Sequence, residues 1–322
     1  MTVVVAGATG TIGRAVVKEL LKQGHEVLCI LRPGTDHSHL IQGAKALEAT
    51  FDQLELPHSA TAIISCIASR TGEPKDAWAV DYAANKALLA AAQTAGIAQF
   101  TLLSAICVQK PKRAFQQAKL AFEAELQSSG LPWSIVRPTA FFKSLSGQVE
   151  RVKNGKPYLV FGDGNLTACK PISDRDLARY IVSTLGNPEL TGRVLPIGGP
   201  GPAITPRDQA MKLFELLDRP PKIRKVSPKL LSVIGSALSL VSKIFPSLKA
   251  KAELAKIGHY YATESMLVWD PQTQSYSADA TPEFGQDHYF DHLQALVVGE
   301  AQTELGAHQM FGAAGSSRTR ES

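Results

Sequence analysis

The chain has 322 residues, 44% of them apolar and 20% charged, with a net charge of +5. This is the make-up of a globular protein able to bury one large core in one or two domains. Four scattered cysteines (Cys29, Cys66, Cys107, Cys169) without a CxxC or a matching His spacing argue against a disulfide framework or a metal site and for a reducing compartment; no apolar run reaches the about 18 residues of a bilayer span.

The first strand is predicted at residues 2–6 and starts almost at the N-terminus, so no targeting leader is expected. It runs into Gly7-Ala8-Thr9-Gly10-Thr11-Ile12-Gly13, and a helix follows over 12–23. Gly7 permits a tight turn, Gly10 lets the backbone approach a pyrophosphate at the helix N-terminus, and Gly13 lets helix and strand pack closely. Strand, glycine loop and helix in this order predict a dinucleotide site, with Thr9, Thr11 and Ile12 beside the glycines as contacts. The second strand, 26–31, is followed by Arg32. That residue reads either as a solvent-facing cation or as a planar fork for a ribose 2′-phosphate; the second reading favours NADP over NAD.

Further strands are predicted at 45–50, 61–66, 99–103 and 133–137, with helices over 78–95 and 114–128. Short β-rich runs alternating with longer helices predict an α/β fold, a doubly wound parallel sheet of Rossmann type. Cys66 closes the fourth strand and is read as a cofactor contact. Ser104 ends the fifth, where ligands bind in such sheets, and Lys119 stands on the helix after it.

Beyond Pro138 the pattern loosens. A strand over 157–161, a helix over 174–185, a strand over 194–197 and a Thr205-capped helix over 206–217 are expected. Residues 230–245 are amphipathic, with Leu230, Leu231, Ile234, Leu238, Val241 and Phe245 placed on one face. That helix reads as a core or dimer helix, or as one lying on a membrane or over a substrate pocket. Residues 219–256 carry nine Lys or Arg against one acid, whereas 257–300 carry seven acids and no Lys or Arg. The basic stretch is either a solvated face or a surface for an anionic substrate or lipid. It lacks the interleaved aromatics of a nucleic-acid site. The expected division is a dinucleotide-binding domain over 1–140, a substrate region over 141–305 partly interwoven with it, and a disordered tail over 306–322. The His pair at 288 and 292 reads as a surface helix, and no metal is expected.

The stretches LLSAICVQKP (102–111), FQQAKLAFEAEL (115–126), SIVRPTAFFKSLSGQ (134–148), the FGDG…CKPISDRDLA run (161–178) and YYATESMLVWDPQT (260–273) carry a resemblance that covers most of residues 1–300. The chain is similar to the atypical short-chain reductases, and more closely resembles the NADPH-dependent divinyl chlorophyllide 8-vinyl reductases. Ordinary members of the wider class place an acid tyrosine four residues before the lysine, to protonate the oxygen formed from a carbonyl. Here that place is held by Phe115.

The resemblance implies NADPH as cofactor and reduction of the 8-vinyl group of divinyl chlorophyllide a, or of divinyl protochlorophyllide a, to ethyl. It implies a small-molecule tetrapyrrole substrate; with no targeting leader expected, the location reads as cytoplasmic, peripheral to photosynthetic membranes. Lys119 and Ser104 would be the catalytic pair, with Lys119 also on the nicotinamide ribose. Pro138 and Thr139 would touch the cofactor; Phe115, Phe141, Phe142, Lys170 and Tyr260 would line the substrate site, Lys170 taking a propionate carboxylate. A reductase of another conjugated alkene, or a non-catalytic NADP-binding regulator or assembly factor, remains open on the same residues.

Overall fold

The computed structural model describes residues 1–242 and 244–301; the tail expected over 306–322 lies outside the described residues. The chain begins β1 (Thr2–Ala6), α1 (Thr11–Lys22), β2 (Glu26–Leu31), β3 (Lys45–Glu48), β4 (Ala60–Ser65). Then come α2 (Pro74–Ala77), a π-helical segment Trp78–Ala84, α3 (Asn85–Ala95), β5 (Gln99–Leu103), α4 (Ala114–Gln127) and β6 (Trp133–Pro138). The remainder comprises α5 (Phe142–Leu145), α6 (Val149–Lys153), β7 (Tyr158–Phe161), α7 (Asp174–Val182), β8 (Arg193–Ile197), α8 (Pro206–Leu216) and β9 (Ile223–Val226). It ends with α9 (Pro228–Val241), α10 (Lys249–Thr263), β10 (Val268–Asp270), β11 (Ser275–Ser277) and α11 (Tyr289–Val298).

Seven strands form one parallel sheet in the order β3-β2-β1-β4-β5-β6-β8. The order reverses direction between β1 and β4, and ligands of such sheets bind in the crevice at that switch point, outside the carboxyl ends of the strands. Period-two alternation sends Val3 and Val5 to one side, against Val16, Val17 and Leu20 of α1 and Leu177 and Ile181 of α7. Val4 and Ala6 go to the other, against Leu88 and Ala92 of α3 and Phe122 and Leu126 of α4. Both faces are therefore covered, which is why the strands read as continuous apolar runs.

α7 packs on α1, and β8 pairs with β6, so the chain beyond residue 140 returns to the sheet. Ser173 caps α7 through the Asp176 N–H, and Thr205 and Asp208 form a capping box at α8. The remaining C-terminal elements build two smaller apolar clusters. One gathers β7, α8 and α11; the other gathers Ile106, Cys107, Phe142, Tyr260 and Met266, with Phe115 at its margin.

The helix predicted as a single unit over 78–95 is interrupted. Its first turns widen into a π segment, a feature common at functional sites, and this carries Asp81 inward to a buried position. The amphipathic reading of 230–245 is also corrected. α9 packs on α10 through Gly235, where a Cβ would come within 3.1 Å of Lys256. The residues turned outward are Leu230, Val233, Ile234, Leu240 and Val241.

Candidate active site

The site is built first from the loop between β1 and α1. Gly7 has φ +78°, and a Cβ there would stand 2.6 Å from the Cys66 carbonyl oxygen. A Cβ on Gly13 would stand 2.1 Å from the Gly7 carbonyl oxygen. The first and third glycines are thus fixed by contact with neighbouring backbone. Gly10 differs: beyond its Cα the space is open apart from the Gly7 carbonyl at 3.4 Å. α1 starts there with no side-chain cap and no acid in its first turn. An uncapped helix N-terminus above an open glycine is a cradle for a pyrophosphate, so the residues fit a dinucleotide. Thr9 and Thr11 are exposed at the rim, while the Ile12 side chain is buried and leaves only its backbone for a ligand.

One residue at this rim had not been anticipated from the sequence. Lys143, from α5, donates from Nζ to Thr11 Oγ1 at 3.0 Å and so brings a positive charge to the first turn of α1. Arg32 is exposed at the end of β2, where a ribose 2′-substituent would come. Glu48, at the end of the neighbouring β3, is paired with His37 at 2.9 Å.

Lys119 lies on α4 with its ammonium 2.9 Å from Asp81 Oδ1; the two side chains are 12% and 0% exposed. Ser69, in the loop after β4, donates to the other Asp81 oxygen at 2.6 Å. Asn85 reaches back to the Asp81 carbonyl at 3.1 Å and accepts from Ser65 at 2.5 Å. Lys119 is therefore held by a buried carboxylate that the π segment delivers, on the side of the cleft where β4 and β5 end. Cys66 lies within reach of its charge, but burial dominates and pushes that thiol up to about 12. Burial likewise raises the Cys107 thiol, against the pull of Lys119. Both are neutral, apolar neighbours rather than nucleophiles.

Ser104 is placed differently from the sequence expectation. Its hydroxyl donates to Glu123 Oε1 at 2.5 Å, and Arg137 closes on the same carboxylate, with Nε at 3.2 Å from Oε1. The hydroxyl is buried and committed to that carboxylate. Lys170 is similarly committed: it is 7% exposed, with Nζ at 2.5 Å from Glu283 Oε1 and 3.3 Å from the Thr281 carbonyl. Its charge is already matched by Glu283, so a substrate carboxylate would have to displace that partner. Thr139 is also internal, its hydroxyl donating to the Lys170 carbonyl and its N–H to Ile197. Pro138 ends β6 beside it, paired with Ile197.

Among the aromatics, Phe115, Phe142 and Tyr260 meet in one cluster, whereas Phe141 packs towards the sheet core. Adjacent residues at the start of α5 point apart, so Phe141 and Phe142 do not form one wall. Phe142 is enclosed by Tyr289 and His292, with ring centroids at 5.4 and 5.3 Å. Tyr260 is 2% exposed and donates to the Cys107 carbonyl at 2.9 Å. The side chains that keep an open face near Lys119 and Cys107 are Phe115, four residues before Lys119, and Tyr261, whose hydroxyl lies 3.8 Å from Cys107 Sγ.

The loop between β5 and α4 is pinned from both sides. Gln116 accepts from the Lys112 and Arg113 N–H groups and donates to the Cys107 carbonyl at 2.9 Å. Glu264, at the end of α10, takes hydrogen bonds from Lys110 at 2.7 Å, from Lys112, and from Tyr276 at 2.6 Å. Burial alone would raise its carboxyl; these donors win and hold it down at about 2. Lys110 also sits 3.9 Å over the Trp269 ring. Neither this carboxylate clamp nor the Asp81–Lys119 pair had been anticipated, because their members lie far apart in sequence.

Sheet order, glycine cradle and anchored lysine together define a nicotinamide-dinucleotide-binding Rossmann protein of the short-chain reductase type. The NAD(P)H-binding family model matches residues 7–188. Among solved structures, UDP-glucuronic acid 4-epimerase from Bacillus cereus, with UDP-glucuronic acid and NAD, shares the fold with a TM-score of 0.66. It is 17% identical and covers 93% of this chain and 99% of its own. AtPrR2 with NADP+ and (+)pinoresinol gives a TM-score of 0.65 at 17% identity, over 92% and 98% of the two chains.

The chain is 46% identical to the chloroplastic divinyl chlorophyllide a 8-vinyl-reductase of Cucumis sativus, over 96% of this chain and 79% of that protein. It belongs to the divinyl chlorophyllide a 8-vinyl-reductase family.

Proposed function

We propose that the protein reduces the 8-vinyl group of divinyl chlorophyllide a, or of divinyl protochlorophyllide a, to ethyl with NADPH. The identity of 46% along nearly the whole chain is the observation that carries this reading. The site's chemistry agrees with it. Bound NADPH supplies a hydride. The uncapped end of α1 and Lys143 would hold the pyrophosphate, Arg32 would take the 2′-phosphate, and Lys119, braced by Asp81, would hold the nicotinamide ribose.

The acceptor is a carbon–carbon double bond conjugated to a macrocycle. Hydride added at the terminal vinyl carbon leaves charge spread over the ring, and a proton from water or a neighbouring acid completes the inner carbon. No oxyanion forms at any stage, so a phenol four residues before Lys119 would have no oxygen to protonate. Phe115 instead offers an apolar surface to the flat substrate. No helix among the described residues is long and apolar enough to cross a membrane. We place the protein on the cytoplasmic side of photosynthetic membranes, peripheral to them.

Purified protein with NADPH and divinyl chlorophyllide a should shift the Soret band to that of the monovinyl product. Tight NADPH binding with no shift would favour the second reading, a non-catalytic NADP-binding regulator or assembly factor.

A further inference from the structure

The outward face of α9 is apolar where a solvated helix would be polar. Leu230, Val233, Ile234, Ala237, Leu240 and Val241 follow the 3, 1, 3, 3, 1 spacing of a single helical stripe, and all are exposed. Val233 and Leu240 are 63% and 66% exposed, and Ile244, just past the helix, is 76% exposed. The inward side is already used: Gly235 and Ser242 are buried towards α10. The stripe is therefore not the packing face of the helix hairpin, and within the described chain nothing covers it.

The unpaired charges that flank it along the chain are basic. Lys229 at the start of α9 and Lys249 and Lys251 at the start of α10 are exposed, and among the described residues they form no salt bridge. Arg224 and Lys225 on β9 are exposed as well. The one acid of the stretch, Glu253, is neutralised by Lys256 at 2.7 Å. An apolar helical stripe bordered by unpaired lysines suits a surface that is apolar within and negatively charged at its edge. With its 14 residues, α9 is too short to cross a bilayer and long enough to lie in its plane.

We propose that this face of α9 docks on an anionic lipid bilayer, with the stripe sunk among the acyl chains and the lysines at the headgroups. α10 couples the face to the site, since it packs along α9 and carries Tyr260 and Tyr261 against Cys107. Ile257 on α10 also crowds Gly72, in the loop after β4. Docking there would set one wall of the cleft a single helix away from the lipid. The proposal deepens the peripheral membrane placement given above and rests on it.

Flotation of the full chain with vesicles tests it. Vesicles of equal parts phosphatidylglycerol and phosphatidylcholine should carry the protein up a sucrose gradient; phosphatidylcholine alone should not. The double variant Val233→Glu/Leu240→Glu should lower partitioning by more than about tenfold. Lys249→Gln and Lys251→Gln should each lower it about fivefold. No flotation, flotation indifferent to lipid charge, or flotation unchanged in the variants would overturn the proposal. A wild-type dimer that becomes monomeric in V233E/L240E, without flotation, would also overturn it and give the face to a second copy of the chain. Turnover of detergent-dispersed substrate, measured on the same samples, separates the two readings. Flotation without turnover leaves the surface standing and the assigned reaction refuted.

Discussion

Asp81→Asn removes the negative half of the buried pair that holds Lys119, with little change in shape. Breaking one side of such a pair costs about 3–5 kcal/mol, because the remaining charge is left without a partner. The 12% exposure of the Lys119 side chain lets water relieve part of this, so a loss of about 3 kcal/mol is expected. Lys119→Met in the Asp81→Asn background leaves no uncompensated charge and should restore about 2 kcal/mol of it. Urea unfolding of wild type, the two single variants and the double variant gives the cycle. NADPH fluorescence titration on the same proteins should show the Kd rising about 10- to 100-fold in Asp81→Asn, as expected when a charged hydrogen bond to a ribose is lost. If the two substitutions are additive within about 0.5 kcal/mol and NADPH affinity is unmoved, Asp81 does not brace Lys119 and the assignment of the ribose site fails.

Four further outcomes follow from the same geometry. Gly13→Ala should weaken NADPH binding at least about tenfold, because its Cβ would collide with the Gly7 carbonyl oxygen; Gly147→Ala, with open space around it, is the neutral control. Arg32→Ser should cut the preference for NADPH over NADH by about 10- to 100-fold in kcat/KM, leaving NADH turnover nearly unchanged. Lys119→Ala should abolish most vinyl reduction while Phe115→Tyr lowers it; equal activity of both with wild type would refute the roles given to them. Glu264 has its carboxyl depressed from 4.5 to about 2, so its stabilising contribution is complete above pH 4.5 and is lost as the pH falls towards 2. That contribution is at most about 3 kcal/mol, and acid titration of Glu264→Gln should lack this part of the slope.

The sheet and its cofactor loop were legible because their signals are local. A strand, three spaced glycines and a helix lie within residues 2–23; Gly7 and Gly13 are required by close backbone neighbours, and Gly10 by the open space a ligand would use. Lys119 was legible for the same reason, as a charge on the helix after the fifth strand. What holds Lys119 was not, because Asp81 comes from a helix whose π segment leaves no mark in residue periodicity. The commitments of Ser104 to Glu123 and of Lys170 to Glu283 also escaped. They pair residues 19 and 113 positions apart, and only the folded register reveals that both polar groups are spent internally. In α9, apolar residues on two faces blur the amphipathic pattern, so the sequence could not say which stripe α10 would cover.

The Ser104–Glu123–Arg137 knot constrains what a change at position 115 can achieve. Restoring a tyrosine at position 115 would return the phenol of an ordinary carbonyl reductase, but the serine that should work with it would still be tied to Glu123. Freeing that serine means removing Glu123, which strands the Arg137 guanidinium beside the end of β6. Each of these steps is penalised until the others have been taken. The knot thus couples position 115 to residues behind it: a phenol restored there would find its serine already tied to Glu123 and Arg137.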